Sequence, residues 1–206
     1  MPDFYNLAFL FVLPYLCFMK IDYYTPFYPN QFYHIYNRGN NGEKIFYKED
    51  NYLFFLERYN KYLSKCVDTF AYCLLPNHFH FLIKINNKLQ ASEQFRLLFL
   101  SYSKAINKQT GRTGSLLQKR FKRTIIENIP SLCRAVVYIH TNPAHHKITN
   151  DFENYKYSSF QSLLSNKETK FNREEFLKWF GGKDNFIKLH LNKIESLGNE
   201  SFFVED

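Results

Sequence analysis

The sequence predicts an α+β fold: a ferredoxin-like antiparallel sheet with helices packed on one face, followed by a C-terminal helical extension. Three observations carry this. Elements follow one another as strand, helix, hairpin, helix, strand, helix, the order of a sheet with helices laid against it. Two strand-like runs, Thr69 to Leu75 and Phe79 to Ile85, are separated by only Pro76 and Asn77, which makes them an antiparallel hairpin. A chain of 206 residues, 45% of them apolar, can bury one sizeable core and fits one domain with a short appendage.

The first strand is Gln31 to Asn37, rich in aromatic and β-branched residues, and Arg38 to Gly42 after it is turn chemistry. From Lys48 to Leu63, Tyr52, Leu53, Leu56, Tyr59 and Leu63 recur at helical spacing, with Asp50 or Asn51 to cap the start. A second helix runs from about Ala91 to Lys108 and ends in the turn-rich Thr110 to Gly114. Ile125 and Ile126 mark a short strand. A third helix opens near Pro130, whose fixed φ suits a first turn, and is expected to stop before Pro143. Past residue 165, Asn172 to Phe180 closes at Gly181 and Gly182, and a last helix carries Phe186, Leu189, Ile194 and Leu197. Three segments result: an apolar stretch 1–19, a domain 20–165 and a helical extension 166–206, which is expected to pack on the domain.

Residues 1–19 contain no Lys, Arg or His, so the basic region of a signal peptide is missing. The apolar run Leu7 to Phe18 is too short to span a bilayer and is broken by Pro14. The native start is therefore either Met1 or Met19, and no membrane partner is expected. Four widely spaced cysteines, Cys17, Cys66, Cys73 and Cys133, form no CxxC pair, which fits a reduced cytoplasmic protein.

A net charge of +8 points to a polyanionic partner, because neutralising phosphates releases counterions. The 23 Phe and 16 Tyr, interleaved with Lys and Arg, match the composition of single-strand binders, although most such rings fill cores. Candidate phosphate contacts are Lys119, Arg120, Lys122 and Arg123, with Arg38 and Arg112 beside turns.

The segment Pro76-Asn77-His78-Phe79-His80-Phe81-Leu82-Ile83-Lys84 places His78 and His80 on one strand face, while Phe79, Phe81 and Ile83 bury the other. Two imidazoles about 7 Å apart along a strand can converge on one cation, or can be structural. On the third helix, Tyr138 and Asn142 stand at i and i+4, beside the core stripe of Leu132, Val136 and Ile139. Taken alone, Tyr138 is also a boundary aromatic and Asn142 a terminator before Pro143. His140, two residues from Tyr138, and His145 and His146 after the helix read as solvated or DNA-contacting groups.

The strings LPNHFHFLIK, TGSLLQKRFKR, YIHTNPAHHKI and YKYSSF resemble, in that order and spacing, the REP-associated tyrosine transposases and the wider single-tyrosine HUH transposase family, over about residues 20 to 165. The resemblance implies that His78 and His80 are metal ligands, that Tyr138 is the nucleophile and that Asn142 supplies a third ligand. Tyr102 is the chief decoy among the tyrosines, in a helix near basic residues. It also implies a metal-dependent endonuclease and strand transferase that acts on single-stranded or hairpin DNA through a 5'-phosphotyrosine. Mg²⁺ or Mn²⁺ suits phosphoryl chemistry at a mixed nitrogen and oxygen site. The protein would work in the cytoplasm, at the nucleoid when bound to DNA, as a monomer or homodimer. The other classes that these residues allow are a non-catalytic nucleic-acid-binding module and a metal hydrolase that activates water.

Overall fold

The computed structural model describes residues 25–86, 88–167 and 172–199; the apolar segment and the question of the start residue lie outside them. The order is β1 (Phe32–Arg38), α1 (Glu49–Leu63), β2 (Val67–Leu75), β3 (His78–Ile85), α2 (Lys88–Thr110), β4 (Lys122–Ile126) and α3 (Ile129–His145). Three short C-terminal helices follow, α4 (Phe160–Leu164), α5 (Arg173–Lys178) and α6 (Lys183–Asn199). The strands form one sheet in the order β2-β3-β1-β4, every neighbouring pair antiparallel. This is the ferredoxin-like arrangement that the sequence predicts.

On one sheet face, Tyr33, Ile35, Phe79, Phe81 and Ile83 pack under α1 and α2. The layer is largely aromatic: Phe55 meets Tyr102 edge-to-face at 4.9 Å, and Tyr59 stacks on Phe81 at 4.4 Å. Each such ring, removed from water, contributes roughly 1.5–3 kcal/mol. Asn51 caps α1, its Oδ1 accepting from the Tyr47 and Lys48 amides. Asn128 does the same for α3, accepting from Ser131 N.

Of the three helices expected on one face, only α1 and α2 lie there; α3 and the C-terminal helices form a second layer on the other. There α3, α5 and α6 pack on Ala71, Cys73, Leu75 and Leu82 through Val136, Ile139, Phe176, Phe180 and Phe186. Seven of the eight residues of β3 are buried, so the strand needs cover on both sides.

Helix α3 does not stop before Pro143 but continues to His145. Proline forfeits one amide bond, and its fixed φ is already helical, so a single proline in the last turn is tolerated. The end is closed beyond it, His146 N bonding to Asn142 O and Ile148 N to Pro143 O, with Lys147 at φ 55°. At the end of β1, a side chain on Gly39 would run into the Glu43 carbonyl, which fixes that position as glycine. Among the described residues no helix is long and apolar enough to cross a membrane, and Cys66, Cys73 and Cys133 are free and buried thiols.

Candidate active site

Register sets the site. His80 pairs with Tyr36 and His34 with Leu82 across β1 and β3, so the alternating side chains His34, Tyr36, His78 and His80 share the face turned to α3. The His34 and His80 rings stack with centroids 5.1 Å apart, and those of His78 and His80 meet edge-on at the same separation. His146, just past α3, lies 4.5 Å from the His78 ring. Burial holds the His34 imidazole down to about 4. Burial, then His146 and Arg38, hold His78 down to about 3, against an opposing bond from Asn142. Burial and the neighbouring histidines put His80 well below its ordinary range. All three rings are therefore neutral near pH 7, the form that ligates a cation.

The hydrogen bonds assign the protons. His78 Nδ1 lies 2.7 Å from Asn77 Oδ1, which can only accept, so Nδ1 carries the hydrogen and Nε2 a bare lone pair. That lone pair faces Asn142 Oδ1 at 3.4 Å, while Asn142 Nδ2 is committed to Tyr138 O at 3.1 Å. Two acceptors thus confront one another, an arrangement that a cation between them relieves. His80 Nδ1 shares a 3.0 Å bond with His34 Nε2, and His80 Nε2 is buried with no hydrogen-bond partner. With the shared proton on His80 Nδ1, its Nε2 also presents a bare lone pair. Among the described residues no group of three His, Cys, Asp or Glu could hold a metal. The donor set is instead two imidazole nitrogens and an amide oxygen, and it fits a divalent cation.

Tyr138 is half-buried on α3, one helical turn before the wholly buried Asn142. Its ring stands edge-on to His80 at 5.5 Å and to His34 at 6.0 Å. Tyr102 is elsewhere: fully buried under the opposite face, its hydroxyl donating to Ile45 O at 2.7 Å, with burial pushing its phenol far up.

His140 is not a surface group. It is fully buried, because residue 140 turns to the side of α3 that meets α6. His190 Nδ1 donates to Phe186 O at 2.7 Å, so its Nε2 accepts from His140 Nδ1 at 3.0 Å. His140 Nε2 in turn accepts from the Ser159 hydroxyl at 2.8 Å, whose oxygen takes the Tyr72 amide. Sequence reasoning missed this chain, and it missed His34 and Tyr36. Period-2 spacing in QFYHIYN puts the last two on one face, but only the register of β1 against β3 shows that they face His80.

Strand alternation splits the basic cluster. Lys122, opposite Tyr36, holds its ammonium 5.3 Å over the Tyr36 ring on the histidine face. Arg123 turns the other way, onto Phe27 and Phe121 at 4.7 and 5.4 Å. Lys119 and Arg120 are exposed on the segment leading into β4. Arg38 pairs in register with His78. Arg112 is engaged with Glu43 and Tyr47.

Fold and site together define an α+β protein with a histidine pair on a central strand and a tyrosine presented to it from a helix. No family model matches the chain. A Haemophilus influenzae protein described as a REP-associated tyrosine transposase is 28% identical over 105 residues, covering 45% of this chain and 58% of the relative. The chain thus spans little more than half the length of that curated relative. A solved REP-associated tyrosine transposase bound to a REP hairpin shares the fold, with a TM-score of 0.59 at 16% identity over 74% of this chain and 95% of the other. Sequence relative and fold neighbour carry the same description, and it is the one that the four motifs resemble.

Proposed function

We propose that the chain is a metal-dependent single-stranded DNA endonuclease and strand transferase, with Tyr138 as nucleophile. One observation carries this: the Tyr138 ring stands edge-on to His80, whose buried Nε2 has no hydrogen-bond partner. A nucleophile and an unsatisfied ligand meet at one point.

His78, His80 and Asn142 would hold Mg²⁺ or Mn²⁺, which when bound polarises the scissile phosphate. His34 keeps the His80 ring in the ligating tautomer, and Asn77 does so for His78. Asn142 spends its amide hydrogen on the Tyr138 carbonyl, which turns its oxygen toward His78. Lys122, beside Tyr36, would hold a backbone phosphate on the catalytic face. The Tyr138 oxygen attacks phosphorus and gives its proton to water, the bond from phosphorus to the 3' oxygen breaks, and that oxygen takes up a proton from water. A 5'-phosphotyrosine and a free 3'-hydroxyl result, and a second 3'-hydroxyl reverses the step to join strands. The bond energy stays in the covalent intermediate, so no nucleotide cofactor is needed, in keeping with a sequence that has no P-loop.

The relative's name and the neighbour's bound REP hairpin make hairpin DNA the substrate to try first. The test is a denaturing gel of protein incubated with end-labelled hairpin DNA, in Mn²⁺ or EDTA, beside Tyr138→Phe. A labelled protein band that needs metal and disappears in Tyr138→Phe supports the proposal. Binding with no band points to a non-catalytic DNA-binding module, and cleavage that survives in the variant points to a metal hydrolase.

A further inference from the structure

A groove of about 630 Å³ lies between α2 and the segment 114–121, on the sheet face away from the histidines. Lys104, Lys119 and Arg120 on its walls are exposed, Arg123 and Arg96 line it too, the latter ion-paired with Glu93 at 2.6 Å, and no Asp or Glu lines it. Its floor carries Phe99 and Phe121, half-buried rings with centroids 5.4 Å apart. Asn107 also lines it; its Nδ2 donates to Gly114 O at 2.8 Å, while its Oδ1 is buried with no hydrogen-bond partner.

We propose that this groove seats unpaired nucleotides of the strand that reaches Tyr138, with phosphates on Lys104 and Lys119 and bases against Phe99 and Phe121. Only the DNA-binding half of the proposed function is assumed. Cationic walls without a carboxylate attract a polyanion, and half-covered rings gain from stacking on a base face. A duplex hides its base faces in its own stack, so rings at the bottom of a groove select unpaired nucleotides.

Topology joins the groove to the site. Gln118 N bonds to Arg38 O at 2.9 Å, and Leu117 bridges Gly39, so the groove wall is tied to the end of β1. Arg38 is the register partner of His78. Groove and histidines therefore sit at the same end of the sheet, on opposite faces, and a strand leaving the groove crosses the Arg38 edge to reach His78.

The test is fluorescence anisotropy of the full chain in EDTA, where no cleavage interferes. The probes are fluorescein-labelled dT12, an abasic 12-mer with the same phosphates and a blunt 12-base-pair duplex. Wild type is expected to bind dT12 at least about tenfold tighter than the abasic strand, since stacking is worth ~1–3 kcal/mol per base. Phe121→Leu and Phe99→Leu should each narrow that gap at least about threefold while leaving abasic binding unchanged. Lys104→Gln with Lys119→Gln should weaken both single strands and flatten the slope of log Kd against log salt by about 1.4. The groove is overturned if wild type shows no gap, if the gap survives in both leucine variants, if the lysine pair keeps the wild-type slope, or if duplex binds as tightly as dT12. Thermal unfolding of each variant confirms that it is folded, and two separate leucine variants keep the test open if one is not. Binding read in EDTA involves no bond to Tyr138, so these contrasts hold or fail independently of covalent chemistry.

Discussion

Seven histidines divide into two groups, one around His78 and His80 and one made by His140 and His190, and the proton on each ring decides what the group can do. At the candidate site, His78 presents a bare Nε2 because Asn77 takes its Nδ1 hydrogen, and His80 does so when its Nδ1 donates to His34. A divalent cation that binds there and not to the unfolded chain stabilises by about 2.7 kcal/mol at a hundred times its Kd. Melting should therefore shift upward by about 5–10 °C with saturating Mn²⁺ and by nothing in His80→Ala, read by differential scanning fluorimetry. His34→Ala, which frees the His80 ring to turn, should weaken Mn²⁺ binding by about 10–100-fold in a titration, and His34→Asn should recover part of it. The faces on which His78, His80, Tyr138 and Asn142 lie could be read from strand and helix periods, while the roles proposed for them come from the resemblance. His34 was not legible, because its role comes from a pairing 46 residues away in sequence.

At the scale of elements, α3 carries two jobs on two sides. Its Tyr138 and Asn142 flank faces the sheet histidines, while His140 anchors α6 through His190. Loss of His190 would leave a cavity and strand the His140 donor, so His190→Ala should destabilise by about 2–4 kcal/mol in urea unfolding. Burial holds His190 down to about 4 when folded, against an ordinary value of about 6.5. Between those values the unfolded chain binds the extra proton, so stability is level above about pH 6.5 and falls as pH drops toward 4. His34 and His78, also depressed, add to the same slope. Urea midpoints measured from pH 8 to 4.5 should show that fall, shallower in His190→Leu. Element boundaries were read well where a cap or turn marks them, as at Asn172, which caps α5. The end of α3 was misread because proline costs the preceding turn one hydrogen bond without ending the helix there, and the bonds beyond Pro143 carry it on to His145.

For the whole molecule, the two layers around one sheet explain why the last helices belong to the fold. The hairpin could be read from strand spacing, and the ferredoxin-like arrangement from the order of the elements. The second layer could not, because the small residues Ala71 and Cys73 on β2 form part of its floor and give a weak alternating signal. A chain ending at residue 165 would uncover Val136, Ile139 and Leu132, and it is expected to bind the dye ANS and lose cooperative unfolding. Unchanged cooperativity in that truncation would mean that α5 and α6 are an appendage.

Tyr138 as the residue proposed to bond to DNA is tested by tryptic digestion and mass spectrometry of the adduct formed with hairpin DNA and Mn²⁺. A nucleotide mass is expected on the peptide that contains Tyr138. A nucleotide on any other tyrosine, or none on a protein that binds and cleaves the DNA, would contradict it.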